Sequence, residues 1–282
     1  MQYPHIIIWK FIMNKIVPAI VALGGAALAF LLLTKPVSAT VTPTLYIHIK
    51  HDASGYPNTL GKVQQIYNSI QSANKTGRNI GLEPQCIADW NTNIAYLKEC
   101  ANIPVMLNVI TSDDNLQLSI DQIKEAMAVC QVRYFRLHEV CSYYQPLPVD
   151  YIKSILAFAR EVKIPVFWNE WNIYTYDTIA EVIQGYEDIV AVSFGTNSNQ
   201  IEPVAGYQLL QRFQRRAASV QSWYWWERNG RLPGYEYTIP PEIMVQHTQE
   251  AFQAGCEIVQ YEPFGYFFDN ETPKSTLAAV LG

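Results

Sequence analysis

Four glutamates in this chain each close a short apolar or aromatic run: Arg133-Tyr-Phe-Arg-Leu-His-Glu139, Pro165-Val-Phe-Trp-Asn-Glu170, Val220-Gln-Ser-Trp-Tyr-Trp-Trp-Glu227 and Ile258-Val-Gln-Tyr-Glu262. A carboxylate is costly to bury without partners, so four at equivalent strand ends point to a shared polar mouth. Two carboxyl groups facing one acetal carbon can divide the work of breaking a C–O bond. One protonates the leaving oxygen, and the other attacks the carbon or activates water; a separation of about 5–5.5 Å gives retention and about 6.5–9.5 Å inversion. Glu139, Glu170, Glu227 and Glu262 are the candidate catalytic residues.

The residues around them suit a sugar. A pyranose presents C–H groups to aromatic planes and hydroxyls to polar side chains. Trp168, Trp171, Trp225, Trp226 and Tyr261 are candidate stacking residues, and His48, His138 and Asn169 are candidate hydroxyl-binding groups. A working acid needs its pKa raised by burial or a like charge, which Glu170 beside Glu139 would supply. Arg136, three residues before Glu139, is expected on the opposite strand face, where it would not neutralise the acid.

Eight β-branched or aromatic runs must position these groups: Thr44–Lys50, Arg78–Glu83, Pro104–Ile110, Val132–Glu139, Pro165–Glu170, Ile189–Phe194, Ser219–Glu227 and Glu257–Glu262. Amphipathic patterns alternate with them, near Val63–Ser72, Ala88–Cys100, Ile120–Cys130, Tyr151–Val162, Thr178–Tyr186, Tyr207–Ala217, Pro241–Ala254 and Thr272–Leu281. In Tyr151–Val162 the apolar set Ile152, Ile155, Leu156 and Ala159 follows the i, i+3, i+4, i+7 rule, with Asp150 as its expected N-cap. Regular alternation with no Gly/Ser linker predicts an α/β fold, a single (β/α)8 TIM barrel over residues 40–282 with every strand's C-terminal end at one face. The second run is the weakest, because Gly81 interrupts it. The Gly- and Pro-rich segment 228–241 reads as a long loop that could wall the same face.

This arrangement resembles the superfamily of TIM-barrel glycoside hydrolases. The resemblance implies an acid/base at the end of strand four and a nucleophile at the end of strand seven, here Glu139 and Glu227. The superfamily's Asn-Glu dipeptide stands instead on strand five, as Asn169-Glu170, so without the second run the pair would become Glu170 and Glu262. A noncatalytic carbohydrate-binding barrel and a metal-dependent barrel enzyme of another class are the competing readings.

Composition bounds the rest. A 282-residue chain that is 49% hydrophobic and 16% charged is globular, and a net charge of −5 without a basic stripe excludes a nucleic-acid partner. Residues 1–39 read as a signal peptide or membrane anchor: Lys10 and Lys15 precede an uncharged stretch from Ile16 to Leu33, and Pro36-Val-Ser-Ala39 offers a cleavage site. A secreted or extracellular protein is expected, with membrane contact only through that segment if it stays uncleaved. Five cysteines allow two disulfides, and no Cys-x-x-Cys or His-x-x-x-His spacing points to zinc. The expected partner is a carbohydrate substrate, with no metal or organic cofactor.

Overall fold

The computed structural model of the protein describes residues 44–49, 59–85, 89–111, 116–196, 201–221, 239–262, 264–269 and 271–282. The segment 1–39, Glu227, Trp225, Trp226 and most of the 228–241 loop lie outside the described residues.

Eight strands run parallel: β1 (Thr44–Ile49), β2 (Asn79–Pro84), β3 (Pro104–Thr111), β4 (Gln131–His138), β5 (Val166–Asn169), β6 (Val190–Gly195), β7 (Arg215–Gln221) and β8 (Ile258–Glu262). Each pairs with the next in the chain, β8 pairs with β1, and the Leu82–Val105 bridge between β2 and β3 completes the ring. The closed (β/α)8 barrel is therefore present. A two-residue strand, Leu116–Gln117, folds back antiparallel on the end of β3.

The outward side chains of the strands pack against the helix layer. The helix Val149–Val162 buries Ile152, Ile155, Leu156 and Ala159 on one face, as its periodicity requires. Its first turn differs from expectation: Pro148 occupies the N-cap, without a side-chain bond, and Asp150 lies inside the helix. Ser119 and Gln122 cap the helix Ile120–Val129 reciprocally, which fixes its start without help from packing.

Inside the barrel, the period of two along each strand builds two tiers. The lower tier is apolar: Tyr46, Met106, Phe167, Ala191, Ala217 and Ile258 cluster together, with Tyr134 packed against them. β2 contributes Gly81, where an added Cβ would come within 2.4 Å of the Tyr46 ring and 2.6 Å of the Pro104 carbonyl oxygen. The glycine that weakens the sequence signal of β2 is thus the space into which Tyr46 packs. Gly81→Ala is expected to lower unfolding free energy by about 1–3 kcal/mol through overpacking, read by chemical denaturation.

Two expectations from sequence shift. β7 begins at Arg215 rather than at Ser219, so the helix expected at Tyr207–Ala217 lies earlier, at Pro203–Leu209. The small inward residues Ala217 and Ser219 gave β7 no aromatic signature. Cys130, Cys141 and Cys256 are buried thiols, so the two disulfides that the count permits do not form.

Candidate functional site

Two residues above the apolar tier, every strand turns polar. The inward residues are His48, Glu83, Asn108, Arg136, Asn169, Ser193, Ser219 and Gln260, all at most 3% exposed. Buried polar groups need partners, and here they find one another. Glu83 is the centre: it receives Arg136 Nη1, Asn108 Nδ2 at 2.9 Å and Gln260 Nε2 at 2.5 Å. His48 Nδ1 lies 3.0 Å from the same carboxylate, outside hydrogen-bond alignment. Burial disfavours the Glu83 anion, but the Arg136 and His48 charges outweigh it and hold the carboxyl well below its ordinary range. Ser219 Oγ donates to Gln260 Oε1 at 2.7 Å, and Ser193 Oγ to Asn169 Oδ1 at 2.9 Å.

The next step up reaches the mouth. On β8, Glu262 Oε2 accepts from Arg136 Nη2 at 3.4 Å and from Gln221 and Gln260 Nε2 at 3.3 Å each, while its side chain keeps 17% exposure. On β4, His138 Nδ1 meets Thr111 Oγ1 at 3.0 Å, and its Nε2 lies 3.5 Å from Glu139 Oε1. Burial and the Arg136 charge oppose the imidazolium of His138, yet Glu139 and Glu262 override them and raise its pKa.

Glu139 and Glu170 occupy the same offset on adjacent strands, each following an inward residue, since His138 pairs with Asn169. Alternation sends the residue after an inward one outward. Glu170 obeys and is fully buried, accepting from Cys141 N at 3.0 Å and Ser142 Oγ at 2.5 Å in the short helix Val140–Tyr143. Glu139 escapes: its backbone is left-handed, with φ 52° and ψ 34°, and its side chain keeps 17% exposure beside His138. A left-handed non-glycine residue costs about 1–3 kcal/mol and occurs where the surroundings enforce it. The Glu139 amide is held by the Asn169 carbonyl at 2.8 Å.

The expected common cleft for all four glutamates is therefore corrected. Glu139 and Glu262 reach the mouth, Glu170 does not, and Glu227 lies outside the described residues. Arg136 pairs with Glu83 and Glu262 rather than Glu139. Burial pushes the Glu170 carboxyl up to about 8, with the Ser142 and Cys141 donors opposing and the Glu139 charge adding.

Alternation also removes two aromatic candidates. Trp168, between inward Phe167 and Asn169, and Tyr261, between inward Gln260 and Glu262, both pack outward in the helix-facing core. The Tyr261 hydroxyl bonds Thr248 Oγ1 at 2.8 Å. His48 and Asn169 belong to the inward polar tier, and Trp171 is half-buried just past β5. Sequence reasoning missed Glu83, Asn108, Gln221 and Gln260, and treated Arg136 only as a hazard. The signal for Glu83, Asn108, Arg136 and Gln260 was a polar residue two places after the inward apolar one on each strand, and Gln221 stands two places beyond Ser219.

A carboxyl whose folded pKa exceeds its unfolded value contributes stability below the unfolded pKa, lost as pH rises through the folded one. Glu170 should thus make the fold less stable from about pH 4.5 to about pH 8. Glu170→Gln, neutral throughout, should flatten that part of a denaturation profile measured against pH.

No protein-family model matches the sequence, and no curated protein matches it. Solved structures do share the fold. One is the catalytic module of a family 98 glycoside hydrolase from Streptococcus pneumoniae in complex with the H-disaccharide blood group antigen, at TM-score 0.63 and 15% identity over 83% of this chain and 49% of that one. Another is a beta-glucanase from Saccharophagus degradans in complex with cellotetraose, at TM-score 0.51 and 11% identity over 85% and 87%. A dihydrodipicolinate synthase family protein from Coccidioides immitis also matches, at TM-score 0.50 and 10% identity over 80% and 68%. The chain spans about half the length of the first module. Glycoside hydrolases are among its structural neighbours, together with barrel enzymes of other classes, and at these identities the likeness concerns the fold alone.

Proposed function

We propose that this barrel is a glycoside hydrolase acting on an oligosaccharide or polysaccharide, with Glu139 and Glu262 as its two carboxyl groups. One observation carries the reading: of the three candidate glutamates among the described residues, these two keep solvent access at the C-terminal mouth. They end β4 and β8, four strands apart in an eight-stranded ring, above a polar tier that Arg136 spans. The two glycosidase neighbours crystallised with bound saccharides support the substrate class.

Glu139, fixed by its strained turn beside His138, protonates the leaving oxygen. Glu262, held by a guanidinium and two amides, is the carboxylate that attacks the anomeric carbon or activates water. His138 and Trp171 contact the sugar. The reaction needs no metal or organic cofactor. Among the described residues no group of three or more His, Cys, Asp or Glu is placed to hold a metal ion. Residues 1–39 are proposed to direct export or anchor the barrel outside the cell.

Glu227 is the rival second carboxylate, because the superfamily's nucleophile ends strand seven. Glu227 lies outside the described residues, whereas Gln221 on β7 donates to Glu262. The comparison of Glu262→Gln with Glu227→Gln on a glycan that the wild type cleaves decides between them. The assignment expects turnover to fall by about two to four orders of magnitude in the first and by less than tenfold in the second. The reverse result moves the role to Glu227.

A further inference from the structure

The opposite end of the barrel carries a cavity of about 710 Å³ among the N-terminal ends of β1 to β5. Its inner wall includes Tyr46 and Tyr134 of the apolar tier, whose rings meet edge to face at 5.7 Å. Arg78, Arg133 and Lys163 also line it, and no aspartate or glutamate does among the described residues. Three cations around one concavity, in a chain of net charge −5, are an electrostatic anomaly.

The partners of the cations sharpen it. Arg136, Arg160, Arg212 and Arg215 each meet a carboxylate, and Arg216 donates to two main-chain carbonyls. Arg78 and Arg133 have no carboxylate partner among the described residues. Arg78 lies over the Phe252 ring at 5.1 Å, and Arg133 reaches only the neutral amide of Gln131 at 3.3 Å. Lys163, presented by a left-handed residue where the helix Val149–Val162 ends, is likewise outside every described ion pair. Two guanidinium groups and an ammonium lining one cavity, with no acid of the described residues paired to them, suit a multiply charged oxyanion, which guanidinium binds in bidentate fashion.

We infer that the cavity at the N-terminal end of the barrel is a binding site for a phosphate-class oxyanion, separate from the carboxylate mouth. The polyphosphate of a soluble ligand and the headgroup of an anionic lipid share this chemistry.

The test is calorimetric titration of the full chain with inorganic pyrophosphate, alongside sedimentation with phosphatidylcholine vesicles, with and without phosphatidylglycerol. Saturable pyrophosphate binding identifies a soluble ligand, and vesicle binding that requires phosphatidylglycerol identifies a lipid surface. In either arm Arg133→Gln combined with Lys163→Gln should weaken binding by about tenfold or more, since each removes a charge-assisted donor. The exposed Lys153→Gln on the adjacent helix should leave it unchanged. Both positions are exposed, and an unchanged thermal midpoint would confirm that the double variant folds. Failure of both probes to bind, or binding that the double variant retains, overturns the proposal. Glycan hydrolysis by the double variant should match wild type, so this result stands apart from the assignment of Glu139 and Glu262.

Discussion

Glu139→Gln is expected to lower turnover by about 10²–10⁴-fold, because glutamine keeps the shape of the side chain and removes the proton it would transfer. Substrate affinity and folding should change little, since Glu139 is partly exposed and its Oε1 lies 3.5 Å from His138 Nε2. The left-handed backbone adds an independent readout. Glu139→Gly should abolish the same activity and yet stabilise the fold by about 1 kcal/mol, because glycine adopts φ 52° without the Cβ penalty. Stability gained with activity lost is what strain held for function predicts. A purely structural glutamate would show stability lost in both variants, with hydrolysis intact.

Arg136→Met should be the most damaging single change to the fold. Arg136 is fully buried, and its guanidinium joins Glu83 to Glu262. Removing one member of a buried ion pair leaves an uncompensated charge and costs about 3–5 kcal/mol. The pH dependence identifies the cause. A carboxyl with a depressed folded pKa contributes stability above its unfolded pKa, lost as pH falls through the folded value. In the wild type the Glu83 contribution should therefore be full above about pH 4.5 and be lost progressively as the pH falls from there to about 2. In the variant, burial acts on Glu83 without its cation, so acidification from neutral pH should recover part of the lost stability as the carboxyl takes up a proton. Denaturant midpoints at several pH values would show it, and a pH-independent loss would assign the effect to packing alone.

The contrast between Glu139 and Glu170 shows how far the sequence could be read. Apolar periodicity placed the eight strand–helix units, because each strand has a helix-facing side of Leu, Ile, Val and Phe. It placed β7 late, since Ala217 and Ser219 carry little hydrophobic signal while the tryptophans beyond Gln221 carry much. Strict alternation applied one residue further would have sent Trp168, Glu170 and Tyr261 to the helix layer and Glu83 to the interior. Alternation alone would also have sent Glu139 outward. Its position at the mouth depends on a left-handed turn that no local signal announces, since glutamate has no preference for that conformation. The polar tier was legible strand by strand, but its pairing of Glu83 with Arg136 joins residues 53 apart and exists only in the closed ring.

The measurement closest to the central claim is proton NMR of reducing-end signals during incubation of the wild-type protein with a panel of oligosaccharides and polysaccharides. The two-carboxylate assignment predicts a new anomeric signal from at least one glycan, with a rate that falls by orders of magnitude in both Glu139→Gln and Glu262→Gln. Binding of a glycan with no new reducing end would contradict it and leave a carbohydrate-binding barrel, as would a wild-type rate retained in both variants.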